Sequence, residues 1–371
     1  MDTSDASPTP YDQVLYPAAV YPEAHPDRLA TVGTLRGMHP APLNGCRVLE
    51  LGCGTGENLI ALAFSFGKSE FVGLDSARSP VALGKASIEE LRLTNIQLHP
   101  VDLCEASKER FGSFDYIIAH GLYSWVSPLT RERILALCHE LMTPHGIAYV
   151  SYNAYPGNHL RDLARGIIRF HTMRCGSPPE KAQRARAILK FLAESRIVPN
   201  AYVTALRVEF ERVVKQQDEV FLHDDLGKIN QPFYFHEFIS AAHRHNLQFL
   251  GEAGPDDLHA ENFTSDTIAK LSELEKEEEL ICEQYKDFLI GRAFRRTLIC
   301  RSEVPLVPAS VPARASTLYA SCDAEPVHRS ETGDTMRIVS ASERSRAGNE
   351  SRVTRGFIPT CLFGVAVSGC F

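Results

Sequence analysis

The stretch from Val48 to Leu59 reads VLELGCGTGENL. A short apolar run leads into glycines at positions 52, 54 and 56, and a helical apolar pattern starts directly after them. Glycine permits positive φ angles and lets the backbone approach a ligand closely. A dinucleotide fingerprint has the spacing G-x-G-x-x-G, and a phosphate-binding P-loop needs G-K-[ST]. Here the third glycine comes one residue early and no G-K-[ST] follows, so the turn is typical of neither site.

Around this turn, short apolar runs alternate with amphipathic segments of ten or more residues. The predicted strands are CRVLELG, EFVGLD, IQLHPVD, FDYIIAHG and GIAYVSYN. The helices predicted between them are ENLIALAFSFG, SPVALGKASIEELRLT and TRERILALCHELM. This alternation is typical of βαβ units. It predicts an α/β fold with a Rossmann-like parallel sheet that carries helices on both faces.

The rest of the chain has a different pattern, which divides it into five predicted segments. They are an N-terminal lead-in with a helix from Pro26 (1–44), the α/β domain (45–157), a helical connector (158–222), a mostly helical accessory module (223–302) and a low-complexity tail (303–371). In the accessory module we expect an extended pair and a helix, followed by one acidic helix over residues 265–299. The tail has few large apolar residues, so we predict that it is disordered.

The composition favours a cytoplasmic protein. The 371 residues carry a formal net charge of -7, which gives no reason to expect a nucleic acid or an anionic membrane as partner. The N-terminus lacks the basic and apolar regions of a signal peptide, and no apolar run is long enough to span a bilayer. The ten cysteines show no CxxC pair and no zinc-type spacing with histidine, which indicates reduced thiols.

Metal binding is not expected. His223, Asp224 and Asp225 form one group of possible ligands, and His236 with Glu237 forms another. Such spacings also arise by chance in helices and helix caps. We therefore predict no metal site.

Acidic residues end the second and third predicted strands. Asp75 comes about twenty residues after the glycines, where a carboxylate can accept both hydroxyls of a ribose. Asp102 ends the third strand, where its side chain and the backbone of Leu103 can hold an adenine edge. A helix cap is the alternative role for Asp75, and an ordinary loop acid is the alternative for Asp102. Because ligands of open α/β sheets bind at the carboxyl ends of the strands, these features together predict one binding edge.

The segments VLELGCGTGENL, FVGLD, VDL and FDYIIAHG are similar to successive motifs of class I S-adenosylmethionine-dependent methyltransferases. The resemblance covers residues 45–156 and implies S-adenosylmethionine as cofactor. It places the methionine part at the glycine turn, the ribose at the second strand and the adenine at the third, with the transferring methyl near the residue after the fourth strand. The implied cofactor-binding residues are Glu50, Gly52, Cys53, Gly54, Gly56, Asp75, Ser76, Asp102, Leu103 and His120.

A narrower resemblance lies in YPEAHPDRLAT, HGLYSWV, SYNAYPG and NQPFYFHEF. Together these segments resemble bacterial methyltransferases that carry a methyltransferase regulatory domain after the catalytic one. That group includes rickettsial protein-lysine methyltransferases acting on outer-membrane protein. The similarity runs from about residue 11 to about residue 302. Members usually continue with a further folded region, where this chain has its low-complexity segment.

Methyl transfer from a sulfonium needs an in-line attack by a neutral nucleophile and little acid–base chemistry. A lysine amine would have to lose a proton before it attacks. We predict His120 and Tyr123 as catalytic residues, because both follow the fourth strand at the rim. Trp125 and Tyr155 lie on the same rim, and simple packing is the stronger explanation for them.

Three functions remain open. The first is a methyltransferase for protein side chains such as lysine, the second is a small-molecule methyltransferase, and the third is a degenerate cofactor-binding protein whose residues 223–302 serve protein interaction. Methylases of nucleobase amines hold the flipped base with N/D-P-P-Y/F, whereas this chain reads AHGLYSW at that position. Nucleic acid and membrane are therefore not expected as partners. The acceptor is a protein or a small molecule, and a homodimer is left open.

Overall fold

The computed structural model describes residues 9–17, 19–254 and 260–307. Its strands are β1 (Arg47–Leu51), β2 (Glu70–Asp75), β3 (Ile96–Pro100), β4 (Phe114–Ala119), β5 (Met142–Asn153), β6 (Leu247–Glu252) and β7 (Phe294–Arg301). Its helices are α1 (Pro10–Gln13), α2 (Pro26–Leu35), α3 (Glu57–Ser65), α4 (Arg78–Glu90), α5 (Lys108–Phe111), α6 (Pro128–Leu141), α7 (Asn158–Thr172), α8 (Pro178–Ala193), α9 (Ala201–Val214), α10 (Asp218–Asp224), α11 (Phe235–Arg244), α12 (Ser265–Glu277) and α13 (Glu279–Ile290).

The strands form one sheet in the order β3-β2-β1-β4-β5-β7-β6. The first five strands are parallel, which confirms the predicted Rossmann-like sheet. The last two are antiparallel: β7 pairs with β5, and β6 pairs with β7. The sheet is therefore mixed, and residues from the predicted accessory module complete it.

The single acidic helix predicted over residues 265–299 is wrong in two respects: the segment forms two helices, and its last residues belong to a strand. The helical pattern breaks between α12 and α13 at Glu278, and α13 ends where Gly291 takes a left-handed φ of 62°. Phe294–Arg301 is a strand because it lies between β5 and β6 and pairs with both. The pairing partners supply the backbone hydrogen bonds that a helix would otherwise make, and the sequence alone did not reveal those partners.

Helices cover both faces of the sheet, as predicted. On one face, α6 and α11 pack through Ile134, Leu135 and Phe238. On the other face, α2 and α3 pack through residues such as Leu29 and Leu59. Each face thus has its own apolar cluster, and the carboxyl ends of β1 to β5 form one edge between them.

The helices α7 to α10 form a third cluster within the predicted connector. Ala164 and Ile168 of α7 pack there against Ala185, Leu189 and Phe221. Breaks divide the connector into separate helices, since α8 begins at a proline pair and α9 begins after an asparagine cap.

The two ends of the chain lie partly outside the described residues. The N-terminal lead-in contains the single turn α1, and α2 begins at Pro26 as predicted. Of the tail predicted as disordered, only residues 303–307 are described, and there the amide of Val307 donates to the carbonyl of Arg36 at 2.9 Å. In the described part of the chain, no helix combines the length and the apolar character that crossing a membrane requires.

Candidate active site

The glycine turn after β1 is tied to the end of β2. The amides of Gly52 and Cys53 donate to the carbonyl of Leu74 at 2.7 and 3.2 Å. The amide of Gly54 donates to Oδ2 of Asp75 at 2.8 Å. Gly54 has a φ of 54°, and no described atom lies within 4 Å of the place where a β-carbon would be. The turn therefore presents open backbone at the carboxyl edge of the sheet, where a ligand can come close.

Asp75 holds the turn and the start of α4 together. Its Oδ1 accepts from the amide of Ala77 at 2.8 Å, and its Oδ2 accepts from Gly54. Burial raises the pKa of this carboxyl, while the backbone hydrogen bonds oppose that rise. Each oxygen keeps a second lone pair, so the carboxylate can also accept hydroxyl groups of a ligand. Asp75 can therefore cap the helix and bind a ligand at the same time. The neighbouring residue, Ser76, is exposed.

The end of β3 is less enclosed. Asp102 is exposed, and its Oδ1 accepts from the amide of Cys104 at 2.8 Å, which starts a short 3-10 turn. Leu103 is buried in the core. The observed role of Asp102 is that of a cap, and its contact with an adenine stays a prediction. Gly56, the last glycine of the turn, precedes α3 with a φ of 79°.

Glu50 is a buried acid with one oxygen free. Only 3% of the residue is exposed, and burial raises the pKa of its carboxyl to about 8. Its Oε1 accepts from Nδ2 of Asn58 at 3.2 Å, whereas Oε2 has no hydrogen-bond partner among the described residues. Buried polar atoms normally have a partner. The unpaired oxygen therefore fits a ligand that brings a cation or a hydrogen-bond donor to this position.

The N-terminal lead-in reaches the same place through Tyr21. Its amide donates to Oδ1 of Asn58 at 3.1 Å, so it continues the chain of contacts that starts at Glu50. Its ring stacks on the imidazole of His120, with the ring centroids 3.5 Å apart. Tyr21 lies in the segment YPEAHPDRLAT, whose role at the site sequence reasoning missed.

His120 lies directly after β4 and is held as a neutral imidazole. Burial lowers its pKa to about 3, and the charge of Arg296 contributes. Its Nδ1 lies 2.8 Å from the hydroxyl of Tyr149. The hydroxyl of Ser151, on the same strand as Tyr149, accepts from the amide of Gly121 at 2.7 Å. An imidazole in this setting can form directed hydrogen bonds, but it is far too weak a base to hold a proton taken from an ammonium group.

Tyr123, the second predicted catalytic residue, packs in the core. Its ring contacts Tyr152, Phe233 and Phe238, with centroid distances of 6.2, 5.3 and 5.2 Å. Only 2% of the residue is exposed. The structure thus places Tyr123 among aromatic core residues, whereas His120 stacks with Tyr21. A catalytic role for Tyr123 stays a prediction.

The segments HGLYSWV, SYNAYPG and NQPFYFHEF meet at the end of β5. The amide of Gln231 donates to the carbonyl of Ser124 at 2.8 Å, and the amide of Phe233 donates to the carbonyl of Asn153 at 3.0 Å. The side-chain amide of Asn153 donates to Oδ1 of Asn230 at 2.8 Å. The accessory segment is therefore bonded to the rim of the sheet through its backbone.

The two groups considered as metal ligands have other contacts. The ring of His223 stacks on Tyr11 at a centroid distance of 4.5 Å, and Asp225 pairs with Arg212 at 2.6 Å. Across residues 9–17, 19–254 and 260–307, no three or more His, Cys, Asp or Glu side chains are grouped so that they could hold a metal ion.

Two family models match the chain. One describes a methyltransferase domain and matches residues 48–146; the other describes a predicted methyltransferase regulatory domain and matches residues 217–301. The protein RP028 of Rickettsia prowazekii (strain Madrid E) is 34% identical over 241 residues, which make up 65% of this chain and 96% of that protein. The chain belongs to the class I S-adenosylmethionine-dependent methyltransferases.

Other relatives of this methyltransferase are longer than it is. Protein RP789 of Rickettsia prowazekii (strain Madrid E) is 32% identical over 302 residues, covering 81% of this chain and 54% of that protein. The solved structure of PKMT2 from Rickettsia typhi superimposes with a TM-score of 0.76 at 33% identity, covering 85% of this chain and 60% of that one. A second structure of PKMT2, in complex with AdoHcy, gives a TM-score of 0.71. The methyltransferase thus spans 54% and 60% of RP789 and PKMT2.

Proposed function

We propose that this methyltransferase transfers a methyl group from S-adenosylmethionine to a side-chain amine of a protein, with lysine as the acceptor. The observation that carries the cofactor assignment is Glu50, whose buried carboxyl has an unpaired oxygen on the strand that leads into the glycine turn. The match to PKMT2, a protein-lysine methyltransferase by name, supports the acceptor class, because it extends over 85% of the chain.

The residues at the carboxyl edge suit the parts of this cofactor. Glu50 would bind the ammonium group of the methionine part. Burial raises the pKa of its carboxyl, and a nearby cation would stabilise the charged carboxylate. Gly54 would let the cofactor lie against the backbone, and Asp75 would accept the ribose hydroxyls. Asp102 and Leu103 would border the adenine.

The bound cofactor supplies a methyl group already activated by the positive sulfur. The chain then has to orient an acceptor and keep water away, and the low pKa of His120 agrees with this limited task. The Tyr149 hydroxyl fixes the imidazole through Nδ1, and the stacked ring of Tyr21 covers one of its faces. We therefore assign His120 a positioning role toward the acceptor.

A small-molecule acceptor is the second candidate. The trans-aconitate 2-methyltransferase of Deinococcus radiodurans is 34% identical over 113 residues, which cover 30% of this chain and 39% of that enzyme. This match favours small-molecule chemistry, but with 113 residues it is too short to span both the methyltransferase domain and the accessory region. The match to PKMT2 extends over 85% of the chain. The lysine hypothesis is therefore the stronger one.

One assay separates the two candidates. The purified protein is incubated with S-adenosylmethionine labelled in the methyl group and with a bacterial lysate that is then split into macromolecular and small-molecule fractions. We expect label in protein, released as methyl-lysine after acid hydrolysis, and no label with a His120→Ala variant. Label confined to the small-molecule fraction would reject the lysine hypothesis. Label in neither fraction, despite cofactor binding, would favour a cofactor-binding protein without transferase activity.

A further inference from the structure

Helix α13 exposes an apolar stripe to solvent. Ile281, Tyr285, Phe288 and Leu289 are each between 41% and 50% exposed. Their spacing of four, three and one residues places them on one face of the helix. The opposite face is packed into the protein, as the fully buried Asp287 shows. A contiguous exposed stripe of this kind is typical of an interaction surface rather than of an isolated apolar side chain.

Aromatic rings continue the stripe toward the carboxyl edge of the sheet. Phe288 lies 6.0 Å from the ring of Tyr234, and Tyr234 lies 5.3 Å from the ring of Tyr155. Tyr155 in turn stacks on His159 at 4.1 Å. Tyr155 follows β5 two residues after its last residue, so the rings run from α13 to the rim that carries the candidate active site. We call the face made by Ile281, Tyr285, Phe288, Leu289, Tyr234 and Tyr155 the aromatic row.

The surroundings of the aromatic row are acidic. Helices α12 and α13, over residues 265–290, contain eight Asp or Glu residues and three Lys residues. Five of these carboxylates are paired with basic side chains, so the acidic character rests on the exposed ones: the pairs are Glu273 with Lys270, Glu275 and Glu283 with Lys286, Glu279 with Arg36, and Asp287 with Arg295. Glu277 and Glu278 are exposed just before the stripe, and Glu237 is exposed beside Tyr234 at the other end. The hydroxyl of Tyr155 donates to Asp162 at 2.7 Å. Aromatic rings flanked by carboxylates attract cationic side chains through both the ring faces and the net charge.

We propose that the aromatic row is a docking surface for a basic, partly apolar segment of the methyl-accepting protein, next to the acceptor residue. The identity of the segment rests on the proposed function, whereas the docking itself depends only on this surface. Apolar side chains of the segment pack along α13, and its Lys or Arg side chains lie over the rings of Tyr285, Phe288 and Tyr234. A second copy of the chain is a poorer occupant, because it would bring a second acidic helix pair against the first.

Docking is measured directly with a fluorescent lysine–leucine repeat peptide, by anisotropy, on the full chain. We expect binding that weakens at least about tenfold when Tyr285→Ser and Phe288→Ser are combined. The matched control is Phe191→Ser on α8, since that side chain is also exposed, at 67%, and lies on a helix that packs within the α7–α10 cluster. The double charge variant Glu277→Lys with Glu278→Lys tests the electrostatic part separately and is also expected to weaken binding.

Peptide binding can fail while cofactor binding and methyl transfer persist, so this experiment and the test of the proposed function can be told apart. All variants are expected to bind AdoHcy with unchanged affinity, so a loss of peptide binding cannot come from a damaged cofactor site. Equal peptide affinity for the wild type and the Tyr285→Ser, Phe288→Ser variant would overturn the proposal. Analytical ultracentrifugation gives a second test. If the wild type is a dimer, the double variant is a monomer and the peptide leaves the wild-type dimer intact, then the aromatic row binds a second copy of the chain and the proposal is overturned.

Discussion

Replacing Glu50 by glutamine is expected to stabilise the protein in the absence of cofactor while weakening its binding of S-adenosylmethionine. Glutamine keeps the shape of the side chain and the hydrogen bond from Asn58 to Oε1. It removes the ionisable group that burial disfavours in its charged form. The same change removes the anionic partner that we assign to the ammonium group of the cofactor.

The magnitude follows from the pKa of this carboxyl. Its ordinary value is 4.5, and burial raises it to about 8 in the folded protein. Between these values the folded protein holds a proton that the unfolded chain has lost, so the free energy of unfolding falls as the pH rises. One pKa unit corresponds to about 1.4 kcal/mol, so at pH 7 the penalty is about 3 kcal/mol. At pH 5 it is below about 1 kcal/mol by the same relation.

Urea unfolding of both proteins between pH 5 and pH 8 measures this difference. We expect Glu50→Gln to be more stable than the wild type by an amount that grows with pH and levels off above pH 8. Other titrating groups cancel in the comparison. Glu70→Gln, at an exposed ion pair with Arg47, serves as the control and should change stability by less than about 1 kcal/mol at any pH. A stability difference that stays constant with pH, or a destabilised Glu50→Gln protein, would show that the carboxyl of Glu50 does not have a raised pKa in the folded protein.

Three further substitutions test other parts of the structure. Tyr149→Phe removes the hydroxyl that orients His120, so methyl transfer should slow about tenfold with unchanged AdoHcy affinity, as single-turnover kinetics and calorimetry can show. Arg295→Met removes the buried guanidinium that pairs with Asp287, Glu252 and Glu283, and should lower the free energy of unfolding by about 3–5 kcal/mol in urea. Gly54→Val places a branched side chain at a φ of 54° on the open side of the turn, so cofactor affinity should fall below detection in calorimetry while circular dichroism still shows a folded protein.

The α/β part of the fold was predictable because its signals are local. Each parallel strand is a short apolar run that ends in a turn, and each helix has its own amphipathic period. The accessory region was harder, since β7 depends on pairing with β5 and β6, which are distant in sequence. The residues of β7 continue the helical pattern of α13 without a clear break in composition. Only Gly291 indicates where the helix ends.

In the candidate site too, residues next to local sequence signals were predicted, and residues that only the folded chain brings together were missed. Asp75 was predicted because it ends the strand that follows the glycine turn, and Glu50 because the turn resembles that of class I methyltransferases. Tyr149 was missed because it lies in a buried strand, where an aromatic residue usually indicates core packing. Tyr21 was missed as a site residue because the lead-in has no regular pattern, and only the folded chain brings its ring onto His120.

We infer that the carboxyl edge around Glu50, Gly54 and Asp75 binds S-adenosylmethionine. Calorimetric titration of the wild type and of Asp75→Ala tests it most directly. We predict one cofactor bound per wild-type chain, and an affinity at least about tenfold lower for the variant, which loses the acceptor for the ribose hydroxyls and for the amide of Gly54. No binding by the wild type, or equal affinity for both proteins, would contradict the claim.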